Sequence, residues 1–121
     1  MSYAACLAPL ALCLLAGCSR ADPHIEPATG GNPQHGKQLI ESYGCAACHT
    51  ITGVRSPRGM VGPPLTDIKS RAFIGGVLAN KPDNLEHWIM HPRQYSPNTA
   101  MPDLGVSPAQ ARDIAAYLYS R

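Results

Sequence analysis

The chain has 121 residues, 45% of them apolar but only 6% aromatic, and its ten Lys and Arg against eight Asp and Glu leave a net charge of +2. That length allows one domain, and the near-neutral balance excludes the basic stripe on which nucleic-acid binders rely. With one Trp, one Phe and five Tyr, a helical core of this size is thin, so something besides side chains is expected to fill its centre.

Residues 1–17 read as a signal peptide. Tyr3 to Ala16 carry no charge, and Leu7, Leu10, Leu12, Leu14 and Leu15 make an apolar run too short for a comfortable membrane span. No Lys or Arg precedes the run, and a short uncleaved anchor is the alternative. Leu15-Ala16-Gly17-Cys18 resembles the lipobox of bacterial lipoproteins, which implies acylation of Cys18 and cleavage before it. The rival role for Cys18 is half of a disulfide. The cysteine count favours the lipid: Cys6 and Cys13 leave with the signal, and Cys45 and Cys48 remain as a close pair. Ser19 after the acylated Cys leans, by the same resemblance, towards outer-membrane sorting. Residues 18–31 then form a flexible, lipid-anchored linker rich in Pro and Gly. Its thirteen residues beyond Cys18 reach at most about 45 Å and average about 20 Å as a coil.

The remaining 32–121 form one domain. A first helix is expected from the Asn32 cap and Pro33 through Leu39, Ile40 and Tyr43 to a stop at Gly44. Gly36 inside it is either a weak spot or a close crossing with another helix. Residues 50–64 are loop. Leu65 to Phe73 are expected to form a short helix presenting Leu65, Ile68 and Ala72, broken by Gly75-Gly76. A third helix, capped near Asn80, carries Leu85, Trp88 and Ile89 on one face and ends at Pro92. The last opens on a capping box, Ser107-Pro108-Ala109-Gln110, and lines Ala111, Ile114, Ala115 and Leu118 along one face. No strand pattern of useful length is visible, so the expected class is all-α.

Cys45-Ala46-Ala47-Cys48-His49 carries the chemistry. At this spacing two thiols add across haem vinyl groups, and the adjacent imidazole points at the iron. A C-x-x-C pair alone also fits a thioredoxin-like redox couple or half a zinc site. The first needs a βαβ unit and the second two more ligands, and the sequence offers neither. For the sixth iron ligand the candidates are Met60, Met90, Met101, His24, His35, His87 and His91. Met101, in the loop Asn98-Thr99-Ala100-Met101-Pro102, is favoured, because Met90 lies within a helix and has a packing role open to it. The other reading of Met101 is a gap-filling core residue.

With these motifs the chain resembles a class I cytochrome c, in particular the cytochrome c domain fused to subunit II of some bacterial caa3-type haem–copper oxidases. The likeness spans about residues 33–120 and rests on Cys45–His49, Gly62-Pro63-Pro64-Leu65, Leu85–Ile89, Pro92 and Thr99–Pro102. It implies about four short helices around one covalent haem c, with His49 and Met101 as iron ligands. It further implies that the Pro63 carbonyl accepts from His49 Nδ1, that Leu65 packs on the His49 side, and that Ile89 walls the ring. Trp88 stands where many relatives have Tyr, and Thr99 and Arg71 are propionate partners, Arg71 equally well a solvated helix residue. Gly36 and Ile40 would meet Leu118 and Tyr117, while His87 and His91 lie on the surface. The function so implied is one-electron transfer in the periplasm, from a quinol-oxidising complex or dehydrogenase to a terminal oxidase or reductase, with no enzyme activity and no nucleic acid. Rival readings are an enzyme or gas sensor that releases Met101, and a fixed subunit of a respiratory complex. Arg55, Arg58 and Lys69 are candidates for local positive charge at a docking patch.

Overall fold

A computed structural model describes Asp22, residues 24–56 and residues 59–121. The signal segment, Cys18, the first part of the linker and Arg58 lie outside the described residues. Among the described residues four α-helices run in chain order: α1 (Pro33–Ser42), α2 (Pro82–Met90), α3 (Pro92–Tyr95) and α4 (Pro108–Tyr119). Single 3-10 turns stand at Cys45–Ala47 and Ile68–Ser70, and a two-stranded ladder joins β1 (Phe73–Ile74) to β2 (Leu78–Ala79). Among the described residues no helix is long and apolar enough to cross a membrane.

α1 and α4 begin where their local signals say. Asn32 Oδ1 accepts from the backbone N–H of Gln34 and His35, with Pro33 at the first helical position. Ser107 and Gln110 form the reciprocal capping box of α4. The two helices cross at Gly36, where any Cβ would overlap the Asp113 carbonyl. The close-crossing reading of Gly36 holds, one turn earlier on α4 than expected: its neighbours are Asp113 and Ile114 rather than Leu118 and Tyr117. Tyr117 instead donates from its hydroxyl to the Thr52 carbonyl at 2.7 Å. Ile40, Ile114, Tyr117 and Leu118 are all buried in one core.

Three expectations are corrected. Leu65 to Phe73 are not a helix: Asp67 takes a φ of 52°, in the left-handed region that a right-handed helix cannot include. The chain makes one 3-10 turn and then enters β1. Gly75 and Gly76, with φ of 56° and 73°, form the tight turn between β1 and β2, closed by Val77 N–H to the Ile74 carbonyl at 3.1 Å. Two successive positive φ angles are what a type I′ hairpin turn demands, and Gly meets that demand without steric cost. Asn80 does not cap α2; Lys81 occupies that position without a side-chain bond. Pro92 ends α2 as expected but also starts the four-residue α3.

The linker reading is corrected in its second half. Glu26 is buried, its carboxylate accepts from Thr29 N–H at 2.8 Å, and its own N–H donates to the Gly31 carbonyl at 2.8 Å. Gly31 lies so close to α4 that a Cβ would sit 2.5 Å from the Arg112 carbonyl oxygen. The Asn32 N–H then donates to Asp113 Oδ1 at 2.8 Å. This segment is folded onto the last helix.

Candidate functional site

The helices and the loop before Val106 enclose a cavity of about 490 Å³, within the ordinary size range for a cofactor site. Its walls are mostly aliphatic: Ile40 from α1, Leu85 and Ile89 from α2, Ile114 and Leu118 from α4, with Ile51 and Ile68 from the loops. The helical ones, Ile40, Leu85, Ile89, Ile114 and Leu118, come from the stretches that sequence periodicity turns to the interior. The ten residues read from the sequence as cofactor-binding all line this cavity: Cys45, Cys48, His49, Pro63, Leu65, Arg71, Trp88, Ile89, Thr99 and Met101.

His49 is held from two directions. Its Nδ1 donates to the Pro63 carbonyl at 2.7 Å, the contact expected for that residue. With its proton on Nδ1, the lone pair sits on Nε2, the tautomer a metal-ligating imidazole needs. Gly62 packs flat against the ring, and a Cβ there would overlap it, so only glycine fits. The loop is closed by Gly62 N–H to the Cys48 carbonyl and Leu65 N–H to the Thr50 carbonyl, each at 2.8 Å.

Of the seven candidates for a further iron ligand, only Met101 lines the cavity. Met90 is buried in the core, as its helical position suggested, while Met60 is 93% exposed. His24, His35, His87 and His91 are all exposed, and His35 and His91 are paired with Asp113 and Asp103. Met101 shares its stretch of the cavity wall with Ser96, Thr99, Ala100 and Pro102, and its N–H donates to Thr99 Oγ1 at 3.3 Å.

Arg71 reaches the cavity but also donates to the Pro64 and Thr66 carbonyls. Trp88 stands on the cavity wall with Gly75 against its six-membered ring, where any Cβ would overlap it. Periodicity could not have disclosed that contact, since it joins a hairpin turn to a helix. Arg55 and Lys69 are exposed.

Burial pushes the Cys45 thiol above its ordinary range, and the nearby Cys48 pushes it the same way. Among the described residues no group of three His, Cys, Asp or Glu gathers for a metal. The lining fits a flat apolar macrocycle: aliphatic walls, two thiols, an oriented imidazole and a thioether.

Residues 33–121 match the family model described as cytochrome c. Cytochrome c oxidase subunit 2 of Alkalihalophilus pseudofirmus is 31% identical over 97 residues, an overlap of 79% of this chain and 28% of that subunit. The chain thus spans less than a third of the length of the curated relative it matches. Helices, cavity and motif agree with that match along nearly the whole described length, and the chain belongs to the cytochrome c family as a class I domain that binds one covalent haem c and carries electrons.

Proposed function

We propose that the haem is attached through Cys45 and Cys48, that its iron is ligated by His49 and Met101, and that the protein shuttles single electrons at a bacterial membrane surface. The observation that carries this reading is the His49 Nδ1 bond to the Pro63 carbonyl at 2.7 Å beside a cavity in which Met101 is the one candidate among seven that reaches the lining. When bound, the haem supplies a reversible one-electron couple, and thioether ligation favours the ferrous state relative to two imidazoles. The residues of this chain supply everything else. His49 is oriented by Pro63, the aliphatic walls exclude water, and Thr99 and Arg71, which line the cavity, would offer donors to the haem carboxylates.

Electrons pass from a quinol-oxidising complex or a periplasmic dehydrogenase to a terminal oxidase or reductase. The likeness to an oxidase subunit supports an oxidase as the acceptor. The signal-like residues 1–17 and the lipobox-like Cys18 support a periplasmic lipoprotein, with Ser19 favouring the outer membrane. Docking is weak and transient, through a small patch at the ring edge.

The test is an optical spectrum with a pyridine haemochrome assay on protein matured in a c-type-competent host, repeated for Met101→Ala. The wild type is expected to show a covalent c-type spectrum with a weak far-red band from sulfur ligation, and to bind CO poorly when reduced. Met101→Ala should lose that band and bind CO readily. A wild type that binds CO freely would favour a gas-sensing or enzymatic role and would remove the Met101 assignment.

A further inference from the structure

The loop that orients His49 contains Pro63-Pro64, and neither residue has an N–H with which to pin itself. The loop is held on either side by the Gly62 and Leu65 N–H bonds, and the proline pair itself only through its carbonyls. The Pro63 oxygen accepts from His49 Nδ1, and the adjacent Pro64 oxygen accepts from the Arg71 guanidinium, which also donates to the Thr66 carbonyl at 3.4 Å. Arg71 is therefore the side chain that fixes the turn aiming the imidazole, beside the two flanking backbone bonds.

Arg71 is itself fixed through its backbone by Asn80. Asn80 Nδ2 donates to the Arg71 carbonyl at 2.8 Å and to the Ile68 carbonyl at 2.6 Å, gripping both ends of the 3-10 turn. The Asn80 backbone N–H donates to the Ala72 carbonyl at 2.9 Å. Asn80 Oδ1 accepts from the Tyr119 hydroxyl at 2.6 Å. Both amide protons and the amide oxygen are engaged, so the side chain has no second orientation of comparable energy. Tyr119 is 7% exposed near the end of α4, and α4 is anchored by its crossing with α1. Burial and the nearby Glu26 carboxylate raise the phenol above its ordinary range, so it stays a donor.

We propose that Tyr119 and Asn80 are positioning residues of the haem site: they orient Arg71, which holds the Pro63–Pro64 turn whose carbonyl fixes the His49 ring. This rests on His49 being an iron ligand, as read above. A firm bond from His49 Nδ1 raises the basicity of the ligating nitrogen and favours ferric iron. Loosening the chain at Tyr119 should therefore move the redox balance towards the ferrous state.

The experiment uses the full-length, haem-loaded protein and compares Tyr119→Phe and Asn80→Leu with wild type and with Ser107→Ala, which deletes the α4 cap and leaves this chain of bonds intact. At a fixed ratio of an oxidised to a reduced dye, Tyr119→Phe should raise the ferrous-to-ferric ratio about threefold, the fraction of one hydrogen bond passed along the chain. The His49 Nδ1 proton, followed by NMR in the reduced protein, should exchange about tenfold faster than in wild type. Asn80→Leu should shift both readouts further, and Ser107→Ala should shift neither while lowering the denaturation midpoint. Wild-type values of both readouts in Tyr119→Phe, or an equal shift in Ser107→Ala, would overturn the proposal. A wild type whose His49 ring protons carry no hyperfine shift when oxidised would instead remove the His49 assignment, and the proposal with it.

Discussion

On the His49 side of the cavity the chain is fastened across distance. His49 bonds to Pro63, Cys48 to Gly62 and Thr50 to Leu65, and the Thr50 hydroxyl donates to the Gly59 carbonyl at 3.1 Å. On the Met101 side the bonds are mostly local: Thr99 N–H to the Ser96 carbonyl at 3.0 Å, Met101 N–H to Thr99 Oγ1, and Gly105 N–H to Asp103 Oδ1 at 3.1 Å. The longer reach there is the His91–Asp103 pair at 3.2 Å, with both side chains about half exposed. Segments held by short-range, exposed bonds open at low free energy, whereas interlocked backbone opens only with the domain. The cavity thus has one wall set by the fold and one that can yield locally.

The largest expected effect comes from forcing the fixed wall. Gly62→Ala places a methyl group inside the His49 ring, and the bond from Gly62 N–H to Cys48 prevents the backbone from backing away. A loss of about 3 kcal/mol in chemical denaturation is expected, together with a poor yield of haem-loaded protein. A stable variant with wild-type spectrum would show that this wall yields too.

On the other wall a glycine substitution should be milder. Gly105 has a φ of 68° and open space where a Cβ would point. Gly105→Ala carries only the left-handed backbone penalty, about 1 kcal/mol, and part of it should be relieved by local movement of the loop. Denaturation curves of the two alanine variants side by side test the contrast, and a larger loss at Gly105 than at Gly62 would reverse it.

What was legible from the sequence follows the same division between local and distant causes. The starts of α1 and α4 are written in a few adjacent residues, Asn32-Pro33 and Ser107 to Gln110, whose side chains bond to backbone within one turn. The Cys45–His49 motif is likewise contiguous, and the choice of Met101 over Met90 needed only a helix and a Pro-rich loop. The hairpin was not legible, because strands of two residues carry no alternation and its Gly pair reads equally well as a helix stop. Asn80 has the chemistry of an N-cap, but Tyr119, 39 residues away, and the carbonyls of Ile68 and Arg71 claim its amide first. The segment before α1 looked like linker by composition, and only its proximity to α4 reveals Gly31 as the residue that permits docking.

The wall common to both sides gives the smallest effect. Glu86 lies on α2 with its side chain 12% exposed, and its nearest cation is Arg112 Nε on α4 at 4.0 Å. Burial raises its carboxyl above the ordinary value of 4.5; Arg112 opposes the rise, Asp83 adds to it, and His87 opposes it. For an acid with a raised folded value, the folded chain holds the proton over a window above pH 4.5 in which the unfolded chain has lost it. Stability attributable to this group therefore falls as pH rises through that window, and the deficit is complete at neutral pH. Glu86→Gln removes the buried charge and keeps the shape. It should stabilise the protein at pH 7 by less than about 1 kcal/mol, since the weak Arg112 pairing is lost at the same time. The gain should shrink as pH is lowered and vanish below about pH 4, where the wild-type carboxyl is neutral as well. Paired denaturation curves at several pH values read this difference directly. A gain that grows towards acid would mean that the Arg112 ion pair, rather than desolvation, governs the seam between α2 and α4.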